Sequence, residues 1–236
     1  MLRTILYTRE HSCPEVIKKK FSENKLEIKE IPLIKTIALK HNCPKEKIDW
    51  VFFTSANTVK YLDKTFDLTK YQIASIGNKT TECLNKNGIT VDFQPTHAVA
   101  ECFADEWLAK QTKSQRVFLP NSALARPVLN KKLTASNHDV MEEHVYTTIF
   151  EETAKNELKL VLQENSIKDV MLSSPSIWQH FKEVTDEMSV DLSNWRLYSI
   201  GPITSRAVEA SGETVFKEAK IYDMSHLYEE ILKEIK

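Results

Sequence analysis

Four short turns carry the groups that could do chemistry: TSAN at Thr54–Asn57, SIGN at Ser75–Asn78, SSPS at Ser173–Ser176 and SIGP at Ser199–Pro202. Each follows an apolar run and opens a stretch of helical periodicity, and Ser, Thr and Asn are strong helix N-caps. The first N–H groups of a helix have no intrahelical partner, and the macrodipole adds roughly half a positive charge there. Such turns hold carboxylates or phosphates on backbone amides. That suits a chain with 32 Lys+Arg against 33 Asp+Glu and a net charge of -1. A polyanionic ligand must then be held by local dipoles or a few placed cations. Nothing in the charge points to nucleic acid or an anionic membrane.

Taken singly, Ser55, Asn57, Ser174 and Ser176 read as caps before they read as ligand contacts. Gly77 and Gly201 read as turn glycines, and G-x-x-T is far weaker than a phosphate-loop or dinucleotide fingerprint. Duplication changes the weighing. Ser75–Val91 and Ser199–Val215 align without gaps, with seven of seventeen positions identical. All four glycines of the chain fall in these copies, as Gly77/Gly88 and Gly201/Gly212. Asn78 opens the first predicted helix. Thr80 and Thr204 share a first-turn position from which a hydroxyl could face a ligand. Arg9 and Arg126 follow equivalent predicted strands; each also reads as a solvated charge at a helix start. Tyr146, in HVYTT, lies at a predicted domain crossing, where a buried structural tyrosine is the default.

Other chemistries find no support. There is no Ser-His-Asp, Cys-His or paired-carboxylate arrangement. The seven histidines form no HxxxH or HxH cluster, so no metal site is expected. The four cysteines show no CxxC pairing and read as reduced cytosolic thiols. No apolar run nears the roughly 18 residues of a membrane helix. The N-terminus is too short and too soon charged for a signal peptide. A cytoplasmic protein is expected.

The elements that position these turns also repeat. Gln72–Ile76 and Arg196–Ile200 read as strands, Asn78–Asn87 and Pro202–Ser211 as helices, and Ile89–Phe93 and Thr214–Lys217 as strands restarting. Gly88 and Gly212 sit where a left-handed C-terminal cap is wanted. Upstream, Lys47–Leu62 and Ile167–Phe181 each give a buried strand, a hydroxyl turn and a helix. The first copy continues with helix Val99–Gln111, strand Arg116–Leu119, helix Leu124–Leu133 and strand Asp139–Ile149. The second has only helix Ser225–Lys236. The N-terminus supplies the missing set: strand Thr4–Thr8, helix Cys13–Phe21 and strand Leu26–Ile37. The expected fold is therefore two similar flavodoxin-like parallel-sheet α/β domains of three α/β/α layers, one inserted in the other. Residues 1–34 plus 150–236 form a discontinuous domain, and 35–149 the insert. The crossings Ile31–Ala38 and Val145–Glu151 are expected to pair as a two-stranded ladder. All four turns lie at strand carboxyl ends, where such sheets bind ligands; with the domains facing, they would line one cleft.

The motifs TR at Thr8–Arg9, FTSANTV at Phe53–Val59, SIGNKT at Ser75–Thr80, LARPVL at Leu124–Leu129, VYTT at Val145–Thr148, SSPSIW at Ser173–Trp178 and SIGPITSRAVEASG at Ser199–Gly212 occur in an order that resembles uroporphyrinogen-III synthase. The resemblance covers almost the whole chain. It implies a monomeric, cofactor-free hydro-lyase of tetrapyrrole biosynthesis. The implied substrate is hydroxymethylbilane, a linear tetrapyrrole with eight carboxylates, with a possible hand-over from the preceding pathway enzyme. The implied reaction loses a hydroxyl as water, inverts the last pyrrole ring through a spiro intermediate and closes the macrocycle. Tyr146 matches the tyrosine that assists departure of the hydroxyl. Ser55, Ser174, Thr80 and Thr204 match the substrate-holding loops. The chain departs from the pattern at Ile203 and at Asn121, where threonine and glycine are common. The rivals are a two-lobed anion-binding or sensor module without turnover, and a flavodoxin-type cofactor binder.

Overall fold

The computed structural model describes residues 3–164 and 166–234. The chain divides into two compact units, one of residues 1–35 with 149–236 and one of residues 36–148. In chain order the elements are β1 (Arg3–Tyr7), α1 (Glu15–Glu23), β2 (Leu26–Glu30), β3 (Ile34–Ala38), β4 (Trp50–Phe53), α2 (Ala56–Tyr61), β5 (Gln72–Ser75), α3 (Asn78–Lys86), α4 (Ala100–Leu108) and β6 (Arg116–Ser122). They continue with α5 (Val128–Ala135), β7 (Asp139–Phe150), α6 (Glu152–Glu164), β8 (Asp169–Leu172), α7 (Pro175–Glu187), β9 (Arg196–Ser199), α8 (Pro202–Glu209), β10 (Lys217–Glu218) and α9 (Met224–Lys233).

One sheet has the order β10-β9-β8-β1-β2 and the other β3-β7-β6-β4-β5. The β1, β2, β8, β9 and β10 pairings are parallel, as are those among β4 to β7. Strands β4 and β8 are buried throughout, as a parallel strand covered on both faces requires. Their side chains alternate between two cores. Trp50 and Phe52 join one cluster with Trp107 and Leu129, while Val51 and Phe53 join another with Leu84 and Tyr146. Val170 and Leu172 pack with Trp178, whereas Met171 packs with Phe21 and Tyr228. Each sheet is therefore the middle of three layers.

In chain order the strands of the first unit read 2-1-3-4-5 across the sheet, the flavodoxin-like order. The other unit has the same spatial arrangement entered at a different strand, with Phe93 bridging to Ala74 in place of a fifth strand. The chain reverses its direction of travel across each sheet at β8/β1 and at β4/β6. Crevices for ligands open at such switch points, beyond the strands' carboxyl ends.

Several expected boundaries shift. Leu26–Ile37 is two strands, because Pro32 has no N–H to donate. β3 instead lies beside β7, with Leu39 N donating to Val145 O at 3.0 Å and Glu151 N to Leu33 O at 3.3 Å. Those bonds progress in opposite senses along the two segments, so the ladder is antiparallel. The expected strand at Ile89–Phe93 is a single bridge, and Thr214–Lys217 gives way to β10. β6 runs past Leu119 to Ser122 despite Pro120. It pairs with β4 only through Val117 and Phe118, so the proline falls where that edge is open. Helix α5 starts at Val128, after its N-cap Pro127. The end expected at Lys236 lies outside the described residues.

The glycines separate into two kinds. Gly88 and Gly212 have φ of 75° and 86°, just past α3 and α8, a left-handed backbone that costs other residues about 1 kcal/mol or more. Gly77 and Gly201, read from the sequence as turn glycines, do stand between strand and helix. They are N-caps in extended backbone, with φ of -128° and 166°. A Cβ at Gly77 would meet only the Ala98 Cβ at 3.7 Å. Gly88→Ala is thus expected to lower stability by about 1 kcal/mol while Gly77→Ala leaves it unchanged, which urea melts of the two variants would check.

Candidate functional site

In the unit of residues 36–148, a cavity of about 230 Å³ opens beyond the carboxyl ends of the strands. Its lining includes Thr54 after β4, Ile76 after β5, Asn121 and Ser122 at the end of β6, and Tyr146 of β7, with Arg126 from the loop before α5. This is the β4/β6 switch point. A larger cavity of about 580 Å³ lies in the other unit beside Trp195 and Thr214. Those residues precede β9 and β10, so it sits at the amino ends of the strands, away from the usual crevice.

Tyr146 owes its place to an irregularity. The β6–β7 register shifts between Asn121 and Ser122, so Asn121 faces His144 but Ser122 faces Tyr146. Val145 is the extra residue of this bulge, and bulges re-aim side chains beside active sites. Consecutive Val145 and Tyr146 thereby enter the same core cluster. The Tyr146 ring stacks on Tyr61 of α2 at 5.5 Å and 22°. Tyr61 is itself held by donating its hydroxyl to Thr36 O at 2.8 Å. Tyr146 is 7% exposed, a fixed phenol with an edge on the cavity.

Arg126 is carried by a loop tied back to the same strand, with Ala123 N donating to Tyr146 O at 2.9 Å and Leu124 N to Ser122 Oγ at 3.1 Å. Its guanidinium makes two bonds to Glu101, at 2.9 and 3.4 Å, and its side chain is 69% exposed. The bond from Arg126 holds the Glu101 carboxyl below its ordinary range. An ion pair this exposed contributes little, so an arriving carboxylate can take the guanidinium over. Asn121, where the resemblance has glycine, is buried and locked from β7. Its amide donates to Glu142 at 2.6 Å and its oxygen meets His144 Nδ1 at 2.8 Å.

The hydroxyl turns do what their residue types suggest locally. Ser55 Oγ caps α2 by accepting from Asn57 N at 3.1 Å. Ser174 Oγ caps α7 by accepting from Ile177 N at 3.2 Å, and lies 3.0 Å from Ser176 Oγ. Asn57 is half-buried and Asn78 is exposed. Thr80 and Thr204 are only 5% and 2% exposed, so little of either side chain is offered to a ligand. The turn hydroxyls with side-chain partners lie one residue further on. Thr81 bonds Ser75 and Gln94, and Ser205 bonds Gly201 O and Glu218. These four-residue spacings from Gly77 and Gly201 were legible in the repeat but are absent from the expected site.

In the unit of residues 1–35 and 149–236, Arg9 follows β1 at the switch point beside the end of β8, and is half-buried. Thr8 donates its hydroxyl to Met171 O at 2.6 Å, pinning the two strand ends together. At Gly201 an added Cβ would lie 3.0 Å from the Tyr222 ring, so that exposed side chain would have to shift to admit it. Burial pushes the Cys13 thiol up, beside the Tyr228 hydroxyl, so it is not a thiolate nucleophile. Among the described residues no group of three or more His, Cys, Asp or Glu is placed to hold a metal ion. No helix among them is long and apolar enough to cross a membrane.

The chain can be set beside known proteins. The sequence model of a family described as "Uroporphyrinogen-III synthase HemD" matches residues 15–229. A Methanothermobacter thermautotrophicus protein named "Putative uroporphyrinogen-III synthase" is 26% identical over 205 residues, covering 80% of this chain and 79% of that protein. Solved structures with the same fold include the following two. One is the Helicobacter pylori uroporphyrinogen-III synthetase, with a TM-score of 0.71, 16% identity, and 99% and 100% of the two chains covered. The other is a mutant Thermus thermophilus uroporphyrinogen III synthase, with a TM-score of 0.65, 12% identity, and 100% and 98% covered.

Proposed function

The chain belongs to the uroporphyrinogen-III synthase family, and from that premise we propose that it cyclises hydroxymethylbilane to uroporphyrinogen III at the Tyr146 pocket. One observation carries this reading: a fixed phenol and a weakly paired guanidinium share a small cavity at a topological switch point. At about 230 Å³ the cavity falls below the roughly 300–1,000 Å³ of sites that engulf a drug-sized ligand. It suits one pyrrole ring or one carboxylate arm, not a whole tetrapyrrole.

The groups present can be assigned to the steps that membership of the family implies. Arg126 leaves Glu101 for a substrate carboxylate. The Tyr146 hydroxyl protonates the departing hydroxyl, which leaves as water. The last ring then inverts through a spiro intermediate and the macrocycle closes, releasing a ring proton that restores the Tyr146 phenol. Further carboxylates go to the turns at Ser55–Asn57 and Gly77–Asn78 of this unit; the other unit offers carboxylate-holding turns of its own at Ser174–Ser176 and Gly201–Thr204, with Arg9. Backbone amides do most of that holding, because Ser55 and Ser174 are engaged as caps and Thr80 and Thr204 are buried. Placing the ends of a flexible chain against each other is the main physical work. No metal or cofactor enters the proposal. We place the protein in the cytoplasm as a monomer that receives its substrate from the enzyme before it.

Free hydroxymethylbilane can also close without inversion, to isomer I. Incubating it with the protein and separating the isomers by chromatography is expected to give isomer III in excess. Isomer I alone would sink the reading.

A further inference from the structure

We propose that Gln94 is a positioning residue for the SIGN turn, ending a hydrogen-bond relay that aims the Asn78 amide donors at a substrate carboxylate. The proposal rests on the reading above that this turn holds the substrate. Gln94 lies outside every turn discussed so far. It reaches this one because Phe93 bridges Ala74, with Ser75 N donating to Phe93 O at 3.0 Å. Ser75 Oγ and Thr81 Oγ1 are 2.5 Å apart. Thr81 Oγ1 donates to Gln94 Oε1 at 2.8 Å, and Gln94 Nε2 donates to Asn78 Oδ1 at 2.6 Å.

The direction of the relay is fixed by donor counting. A threonine hydroxyl has one hydrogen, and that of Thr81 goes to Gln94. Ser75 must therefore be the donor to Thr81. Gln94 is held with its oxygen on Thr81 and its nitrogen on Asn78. The Asn78 oxygen is thereby occupied, so its NH₂, at the other end of the same planar amide, points away from Gln94. Asn78 is the exposed first residue of α3, where backbone N–H groups already lack partners. Two aimed side-chain donors join them.

The second copy serves as an internal comparison. Glu218 is aligned with Gln94 and takes the Ser205 hydroxyl. The residue aligned with Asn78 is Pro202, which has no amide to orient. A carboxylate, which only accepts, suffices there. Only the turn with an asparagine needs a group that accepts on one side and donates on the other.

Gln94→Glu tests this with almost no change of shape. A carboxylate at position 94 must accept from Asn78 Nδ2, turning Oδ1 toward the substrate. KM for hydroxymethylbilane is expected to rise roughly tenfold, with kcat and the thermal midpoint held. Asn78→Ala should raise KM similarly, and in that background Gln94→Glu should add only charge repulsion that disappears at high salt. Independently of turnover, nuclear Overhauser contacts from the Asn78 side-chain amide protons to the γ-methylene at position 94 should strengthen in Gln94→Glu. An unchanged KM in Gln94→Glu beside a raised KM in Asn78→Ala overturns the relay, as do unchanged Overhauser contacts. An unchanged KM in Asn78→Ala overturns the contact it serves. Failure of the synthase reading is separate, since it shows in the wild-type protein as absence of isomer III.

Discussion

Tyr146→Phe is expected to lower kcat roughly 10²-fold, the lower end of what a positioned general acid supplies, with KM and the thermal midpoint unchanged. The substitution removes one oxygen. The remaining ring keeps its stack on Tyr61 and its place in the cluster of Val51, Phe53 and Val145, so folding is not at issue. Donation matters here because hydroxide is a poor leaving group and water a good one. The phenol is held by the bulge at Val145 and by Tyr61, so no reorganisation is needed when the substrate hydroxyl arrives. Single-turnover rates with hydroxymethylbilane would read the chemical step directly. A Tyr146→Phe rate within about threefold of wild type would remove the acid role. Turn dipoles and the positioning of the chain ends would then carry the reaction.

Much of the scaffold around Tyr146 could be read from local pattern. The buried runs Trp50–Phe53 and Asp169–Leu172 announce parallel strands by being apolar throughout. The eleven-residue glycine spacing marks a helix between a cap and a left-handed stop, and the φ values of Gly88 and Gly212 show the stop. Legibility fails where a position depends on pairing between distant segments. Nothing in VYTT says that Ser122 will skip Val145 to face Tyr146, since a bulge is a property of two strands. Gln94 comes 16 residues after Asn78 and reaches it only through the bridge at Phe93. Its signal was present all the same, in the alignment that sets it opposite Glu218. Gly77 and Gly201 sit at the strand-to-helix turns read from the repeat, but the letter does not say whether glycine there serves unusual φ or close approach. At Gly201 the Tyr222 ring packs close over the backbone, and at Gly77 nothing does. Pro120 and Pro32 look alike as strand breakers, yet only Pro32 falls where a paired edge must end.

Asp169→Ala is expected to lower stability by about 3 kcal/mol at neutral pH, near the low end for breaking a buried ion pair. The side chain is 1% exposed at the start of β8. It accepts from Arg196 Nε and Nη2, both at 2.7 Å, and from Arg3 Nε at 3.0 Å, with Arg3 Nη2 also bonded. Three neighbouring strands are thus tied at their first residues. Without the carboxylate, two guanidiniums face each other beside Tyr198, whose hydroxyl is pushed up to about 12 by burial and cannot serve as the missing anion. The low end applies because Arg3 and Arg196 are 23% and 37% exposed and can partly resolvate. Burial alone would push the Asp169 carboxyl up, but the bonds and charges of Arg196 and Arg3 outweigh it and hold it below its ordinary range. A carboxyl depressed in the folded state stabilises above its unfolded pKa, near 3.9, and that contribution disappears as pH falls through the folded value. The stability gap between wild type and Asp169→Asn should therefore be full at pH 6 and shrink steadily below about pH 4. Urea melts across that range would show it, and a gap that does not change with pH would mean the carboxylate acts by shape alone. Turnover per folded molecule should not change, because the pair sits at the amino ends of the strands and the turns that hold the substrate are at the carboxyl ends.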